Sequence, residues 1–315
     1  MSTAVSIEAI KTACKQAGFE IERLEQVEGD VFKGAIVNTT FDGSKTAYIK
    51  RHPLSREQNL KRFAAIAEEV GHPHCRVLVD THAWLLMAPA PGRPLSQLLP
   101  VVLFPLVWAT RQHKYADAYR QLGRQLGTAH DKTSNGVGPA LTDTEKQEAL
   151  DLTSSLKESE TKTRVSELFE TADQYETPYA TTYGDRTPHN LYFDGTTLRQ
   201  IDYSCKLRST AFDTRSVIMG VRLMCRRLPY APQSATQTLE TAFWNGYSQT
   251  GPEEFRTTAF RIRYMNGCLK LLDRYEAGPE NLRERVTGRV DRPILYSEIQ
   301  RMIDEIDLSA HSTET

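Results

Sequence analysis

Tyr183-Gly184-Asp185-Arg186-Thr187-Pro188-His189-Asn190, followed a few residues later by Ile201-Asp202-Tyr203-Ser204, decides how this chain is read. The stretch sets three oxygen-bearing side chains, Asp185, Asn190 and Asp202, in the order acid, amide, acid. Between Asn190 and Asp202 stand two short apolar runs, Leu191-Tyr192-Phe193 and Leu198-Arg199-Gln200-Ile201, separated by Asp194-Gly195. An Asp-Gly turn between such runs signals a β-hairpin. A hairpin brings its outer ends together, so Asn190 and Asp202 are expected to meet. An amide oxygen beside a carboxylate suits a hard cation such as Mg²⁺, which takes oxygen ligands. Asp185, one loop turn earlier, is then placed to take a proton from a hydroxyl beside a metal-bound phosphate. The plainer alternative is a polar loop and hairpin without metal, because Asx residues fill ordinary loops.

These residues resemble the aminoglycoside phosphotransferase/choline kinase-like family, which has the protein-kinase fold. The family's catalytic loop runs His-Gly-Asp-x-x-Pro-x-Asn-Ile-Leu-Phe-Asp and is followed by Ile-Asp-Phe or Ile-Asp-Tyr. Gly184, Asp185, Pro188, Asn190, Leu191, Phe193, Asp194, Ile201 and Asp202 match it, and Tyr183 stands where the family usually has His. The resemblance implies an α+β, bilobal fold with a small antiparallel-sheet N-lobe and a larger, mainly helical C-lobe. It implies Asp185 as catalytic base or hydroxyl orienter, Asn190 and Asp202 as Mg²⁺ ligands, and ATP as the phosphoryl donor.

At 315 residues and 39% hydrophobic, the chain is long enough for one large domain or two lobes. Its formal net charge of -1 provides no global field for nucleic acid or an anionic membrane. Cys14, Cys75, Cys205, Cys225 and Cys268 are scattered and form no CxxC pair, which fits a reducing cytoplasm. The opening residues are not expected to form a signal peptide. The most apolar run, Leu98 to Ala109, is broken by Pro100 and Pro105 and is too short to span a bilayer. It is expected to be buried helix and loop, with no stable membrane insertion; a membrane-facing patch for a lipid-linked substrate is the alternative.

Residues 1–88 are expected to form the nucleotide-binding N-lobe. Its elements are a helix over 6–17, strands over 21–26, 35–41 and 45–50, a helix over 55–70 and strands over 76–79 and 83–87. Asp42-Gly43 should turn the second strand into the third. Three prolines and a glycine between Ala88 and Pro94 mark the sharpest change of composition, and 89–94 is read as a hinge. The C-lobe would occupy 95–308 and a disordered tail 309–315. It should hold a helix over 115–130, a solvated helix pair over 146–170, and helices from 213 to 308 broken near 228–229, 251–252 and 278–279. His130, at a helix end, is expected to pack or cap there.

Lys50 ends the third strand and resembles the kinase lysine that pairs with the α- and β-phosphates. Glu57, in the following helix, would orient it by an ion pair. The resemblance makes Met87, Ala88 and Ala90 part of the backbone that binds the adenine edge. There is no G-x-G-x-x-G motif and no Walker-type loop. The phosphate-covering turn would be 28–34, where Gly29 and Gly34 permit close backbone approach.

Between Thr214 and Leu239 the chain carries Arg215, Arg222, Arg226 and Arg227 and no acidic residue. These could bind an anionic acceptor, or pair with carboxylates elsewhere. The missing Ala-Pro-Glu motif disfavours a protein kinase. The expected activity is ATP-dependent transfer of a γ-phosphate to a hydroxyl of a small, sugar-like or other alcohol. The alternative is a catalytically inactive kinase-fold binding protein.

Overall fold

The computed structural model of the chain describes residues 7–28, 31–40, 43–51, 75–77, 84–182, 184, 186–200, 206–252, 257–278 and 282–312. It separates into two compact units, Met1–Arg93 with Tyr192–Ile201, and Pro94–Leu191 with Asp202–Thr315.

The first unit opens with α1 (Ile7–Gln16), whose buried positions Ile10, Ala13 and Cys14 recur at helical spacing. Then come β1 (Ile21–Glu28), β2 (Val31–Ile36), β3 (Thr46–Arg51), β4 (Cys75–Val77) and β5 (Trp84–Met87). They form an antiparallel sheet in the order β1-β2-β3-β5-β4. Period-two alternation turns Phe32, Ile36, Ala47, Ile49 and Leu86 onto one face, where Ile10 and Cys14 of α1 cover them. β2 starts at Val31, not at residue 35 as expected. Phe32, Gly34 and Ile36 alternate inward, and a glycine in the middle of that pattern disguised the strand. Most of the segment read as a phosphate loop is therefore strand. The helix expected over 55–70 lies outside the described residues.

A two-residue strand, β6 (Arg93–Pro94), is followed by α2 (Leu95–Val102) and the long α3 (Pro105–Lys132). α3 starts at Pro105, well before the expected Tyr115. Proline suits a first helical position, where its missing N–H would have had no helical partner. The run 98–109 is not wholly buried: Val101, Phe104 and Leu106 face solvent. β7 (Val137–Pro139) leads to α4 (Asp143–Leu152), capped reciprocally by Thr142 and Glu145, and α5 (Ser159–Glu170).

β8 (Glu176–Thr182) runs into the quoted loop. β9 (Leu191–Phe193) and β10 (Leu198–Gln200) are the expected hairpin, with Gly195 at φ +108° and the Asp194 carboxylate accepting from the Thr196 and Thr197 amides at 2.8 and 2.9 Å. β9 lies between β10 and β6. A Cβ on Gly92 would stand 2.2 Å from the Phe193 carbonyl oxygen, so only glycine fits that approach. β11 (Lys206–Ser209) pairs antiparallel with β8.

Four helices complete the second unit: α6 (Ala211–Arg227), α7 (Gln233–Tyr247), α8 (Thr258–Glu276) and α9 (Leu282–Ser312). The breaks between them fall where the Pro and Gly-Pro signals put them. α9 continues to Ser312, past the expected limit at 308. α3 and α7 touch backbone to backbone. A Cβ on Gly123 would lie 2.0 Å from the Phe243 oxygen, and one on Gly246 would lie 1.9 Å from the Arg120 oxygen. Gly246→Ala should therefore push the helices apart and destabilise the fold by about 1–3 kcal/mol, read as a lower denaturant midpoint at unchanged slope. An unaltered midpoint would show that the helices have room to spare.

Candidate active site

The loop that opens at Gly184 is pinned by one carboxylate. Gly184, at φ +103°, donates its N–H to Asp213 Oδ1 at 3.0 Å. Asp213 lies in the first turn of α6 and is fully buried, where the positive end of the helix dipole also favours its charge. Its other oxygen, Oδ2, is 3.2 Å from His130 Nε2 and 3.8 Å from Arg186 Nε. His130 and Arg186 are fully buried too. Burial lowers the His130 pKa, and the Arg186 charge lowers it further against the pull of Asp213. The neutral ring then donates from Nε2 to Asp213, while Nδ1, 2.9 Å from the Tyr247 hydroxyl, accepts from it. His130 is thus a buried packing residue within the core. Asp213 and Arg186 escaped the sequence reading. The available signal was an acid in the first turn of the helix that follows a polar loop.

The second half of the loop is held separately. Ser96 donates its N–H to the Pro188 carbonyl at 3.0 Å, and the Pro188 ring packs against Gly220 of α6, where a Cβ would meet Pro188 Cδ at 2.8 Å. Asn190 closes a turn by donating its N–H to Thr187 at 2.9 Å, directly before β9. Asn190 therefore stands at one outer end of the hairpin. Asp185 and Asp202 lie outside the described residues, as do Glu57 and Gly29.

In the first unit, the Lys50 backbone pairs with Val31 and Leu85. Val31 is the first residue of β2, so Lys50 sits at the sheet end where β1 turns into β2. Gly34 is within β2, opposite Leu24 and Ala47, and a Cβ there would meet Ile21 Cγ2 at 2.8 Å. Packing accounts for that glycine, which is not in a loop. Met87 ends β5, Ala88 joins the sheet core, and Ala90 is half-buried.

The arginines of α6 have partners. Arg222 forms a two-pronged pair with Glu240 and reaches Glu298 Oε2 at 2.7 Å; Arg226 lies 3.0 Å from Glu298 Oε1; Arg227 takes both oxygens of Asp291 at 2.6 and 2.5 Å. Arg301 and the Tyr264 hydroxyl add 2.8 and 3.1 Å contacts to Glu298 Oε2. Arg215 donates to the Arg263 carbonyl at 2.7 Å, and burial, with the Arg263 and Arg208 charges, lowers its pKa to about 10. Of the two sequence readings, carboxylate pairing is the one that describes Arg222, Arg226 and Arg227. Arg263 in turn grips Glu145 at 2.5 and 2.8 Å.

A cavity of about 330 Å³ lies among α6–α9, lined by Ile218, Arg222, Glu240, Trp244, Phe260 and Arg301 with others. Ile218 and Arg222 are two residues either side of Gly220 and so about 160° around α6 from the Pro188 contact. The cavity is on the side of α6 away from the loop. Among the described residues, no group of three His, Cys, Asp or Glu could hold a metal ion, and no helix is long and apolar enough to cross a membrane.

No protein-family model matches the chain, and no curated protein matches it. Solved structures do. A glucosamine kinase, solved with glucosamine, ADP and inorganic phosphate, aligns over 98% of this chain and 84% of its own at TM-score 0.60 and 10% identity. A candidate aminoglycoside phosphotransferase from Ralstonia eutropha aligns over 94% and 98% at TM-score 0.58 and 15% identity. An amicoumacin kinase solved with AMP-PNP and Ca²⁺ aligns over 95% and 96% at TM-score 0.54 and 15% identity. The chain has the fold of these small-molecule kinases: a small antiparallel-sheet part and a larger helical part.

Two outcomes follow from the buried charges. Asp213→Ala removes the acceptor of the Gly184 amide and of His130 and the ion-pair partner of Arg186, and should destabilise the chain by about 3–5 kcal/mol in denaturant titration. A wild-type midpoint would remove the pinning role. For Glu145, burial raises the pKa, but hydrogen bonds and charge from Arg263, with Thr142, outweigh it and hold it at about 2, against an ordinary 4.5. Its folded pKa is depressed, so its stabilisation is complete above 4.5 and lost as pH falls toward 2. Glu145→Gln should flatten stability over that window; an acid limb as steep as wild type would contradict it.

Proposed function

We propose that the chain is an ATP-dependent phosphotransferase that moves the γ-phosphoryl group to a hydroxyl of a small, sugar-like or other alcohol. The observation that carries this reading is the pinned loop. Three buried groups converge on Asp213 to fix the backbone one residue before Asp185, and Asn190 sits where the loop enters its hairpin. A loop held this firmly within a kinase fold suits chemistry that depends on positioning.

In this reading Asp185 accepts a hydrogen bond from the acceptor hydroxyl. It takes the proton as the new oxygen–phosphorus bond forms and the bond to the ADP leaving group breaks. Asn190 and Asp202 would hold Mg²⁺. With Asp185 they offer one amide and two carboxylate groups, all hard oxygen donors, which suit that ion. The metal, when bound, supplies charge neutralisation at the phosphate oxygens.

Lys50, at the β1–β2 end of its sheet, would pair with the α- and β-phosphates, with Glu57 orienting it. Gly29 would let the turn backbone approach the phosphates. The backbone of Met87, Ala88 and Ala90 would take the adenine edge. Residues 1–88 then serve the nucleotide, 89–94 act as hinge, and 95–308 carry the loop and the acceptor. The paired state of Arg222, Arg226 and Arg227 favours an uncharged alcohol over an anionic acceptor.

ATP should raise the unfolding temperature in the presence of Mg²⁺ and much less without it. In a coupled screen of sugars, amino alcohols and nucleosides, Asp185→Asn and Asp202→Ala should each reduce turnover at least about a hundredfold with folding intact. ATP stabilisation with no turnover on any acceptor would favour the inactive binding protein. Near-wild-type turnover in either variant would remove the site assignment.

A further inference from the structure

Arg215 is the arginine of α6 that no carboxylate holds among the described residues. Arg222 and Arg227 each turn one edge of the guanidinium, Nε with Nη2, onto a carboxylate, Glu240 and Asp291 respectively. Arg226 meets Glu298. On Arg215 the same edge meets no acceptor among the described residues; only Nη1 is engaged, donating to the Arg263 carbonyl at 2.7 Å. The residue is nevertheless only 8% exposed. Burying a guanidinium is costly unless an anion answers it.

The side chain has a built seat. Its guanidinium carbon lies 4.6 Å from the centre of the Phe212 ring, and α8 makes room for it by placing Gly267 alongside, where a Cβ would stand 3.1 Å from Nη1. Nε and Nη2 are not sealed in protein, unlike Nε of Arg263. The surroundings are positive. Of the neighbouring charges, Arg263 and Arg208 act on Arg215 most strongly, and Glu145, the carboxylate that opposes them, is gripped by both prongs of Arg263. Arg208 is itself engaged: it donates to the Thr182 hydroxyl at 2.7 Å and lies over the Phe212 ring. It therefore contributes charge here, not an open hydrogen bond. Three guanidiniums against one carboxylate leave a surplus of two positive charges. That surplus matches a phosphate group, which carries about two negative charges near neutral pH.

We propose that Arg215 anchors an oxyanion site, in which a phosphate group is held two-pronged on the Nε–Nη2 edge within the positive field of Arg208 and Arg263. Side-on pairing is the geometry in which a guanidinium matches phosphate and carboxylate oxygens. Arg215 lies about 160° around α6 from Asp213 and on the same stripe as Arg222. The site is thus built on the α8 side of the helix, and its occupant is additional to the uncharged alcohol assigned to the Asp185 loop. It does not depend on the phosphotransferase reading. Inorganic phosphate and a phosphate monoester of a small molecule offer the same chemistry to this edge.

The test is isothermal titration of the full chain with sodium phosphate and, separately, with glucose 6-phosphate, each against sodium chloride at equal ionic strength. Wild type should show saturable binding that chloride does not reproduce, and the tighter of the two ligands identifies the source of the phosphate group. Arg215→Gln should weaken that binding about tenfold or more, and Arg215→Lys, which keeps the charge but loses the fork, should weaken it as well. Arg208→Gln, at a half-buried position, should weaken it about threefold through the lost field. Lys50→Ala should leave it unchanged, which separates this site from one that holds nucleotide phosphates. Where Arg215→Gln does not fold, Arg215→Lys and Arg208→Gln carry the comparison. No phosphate-specific binding by wild type overturns the proposal whatever the variants do. So does binding that Arg215→Lys retains in full, or that Lys50→Ala abolishes.

Discussion

The Asp213 carboxylate is the constraint on which the start of the loop depends. A buried, unpaired charge of this kind would be prohibitively costly. Here it serves the backbone of the loop, a histidine from α3 and an arginine from the loop itself. Gly184 can turn its amide toward that carboxylate only because its φ is positive, a conformation that a side chain would strain. The loop's start is therefore defined jointly by the helix packing that places Asp213 and by the loop's own Gly184 and Arg186. His130 stays neutral chiefly because it is fully buried, with the Arg186 guanidinium adding to that effect against the pull of Asp213.

Local features of this arrangement were legible, and distant ones were not. The hairpin after Asn190 could be read because Asp194-Gly195 and the flanking apolar runs act over a few residues. The helix breaks could be read because Pro and Gly-Pro act locally too. β2 was misplaced because Gly34 looks like a loop residue until Ile21 and Leu24 are seen against it. The fate of the α6 arginines needed tertiary structure. Their partners Glu240, Asp291 and Glu298 lie 18, 64 and 76 residues away. Asp213 was invisible for the same reason: an acid at a helix start is ordinary until its neighbours are known.

Fold and chemistry separate here in an instructive way. Structures that share 10–15% identity with the chain share its architecture, yet architecture does not specify an acceptor. Arg222, Arg226 and Arg227 of α6 are absorbed by internal carboxylates.

Glu298 carries a separate consequence. One buried carboxylate in α9 answers Arg222 and Arg226 from α6, Arg301 from its own next turn, and the Tyr264 hydroxyl of α8. Sliding α9 by a single turn would carry that carboxylate about 5.4 Å from its partners on α6 and α8. Greasy side chains along a helix can be exchanged for one another at modest cost, and a purely apolar seam permits several alignments. This hub permits one, so it acts as a latch that indexes the last helix both in height and in rotation.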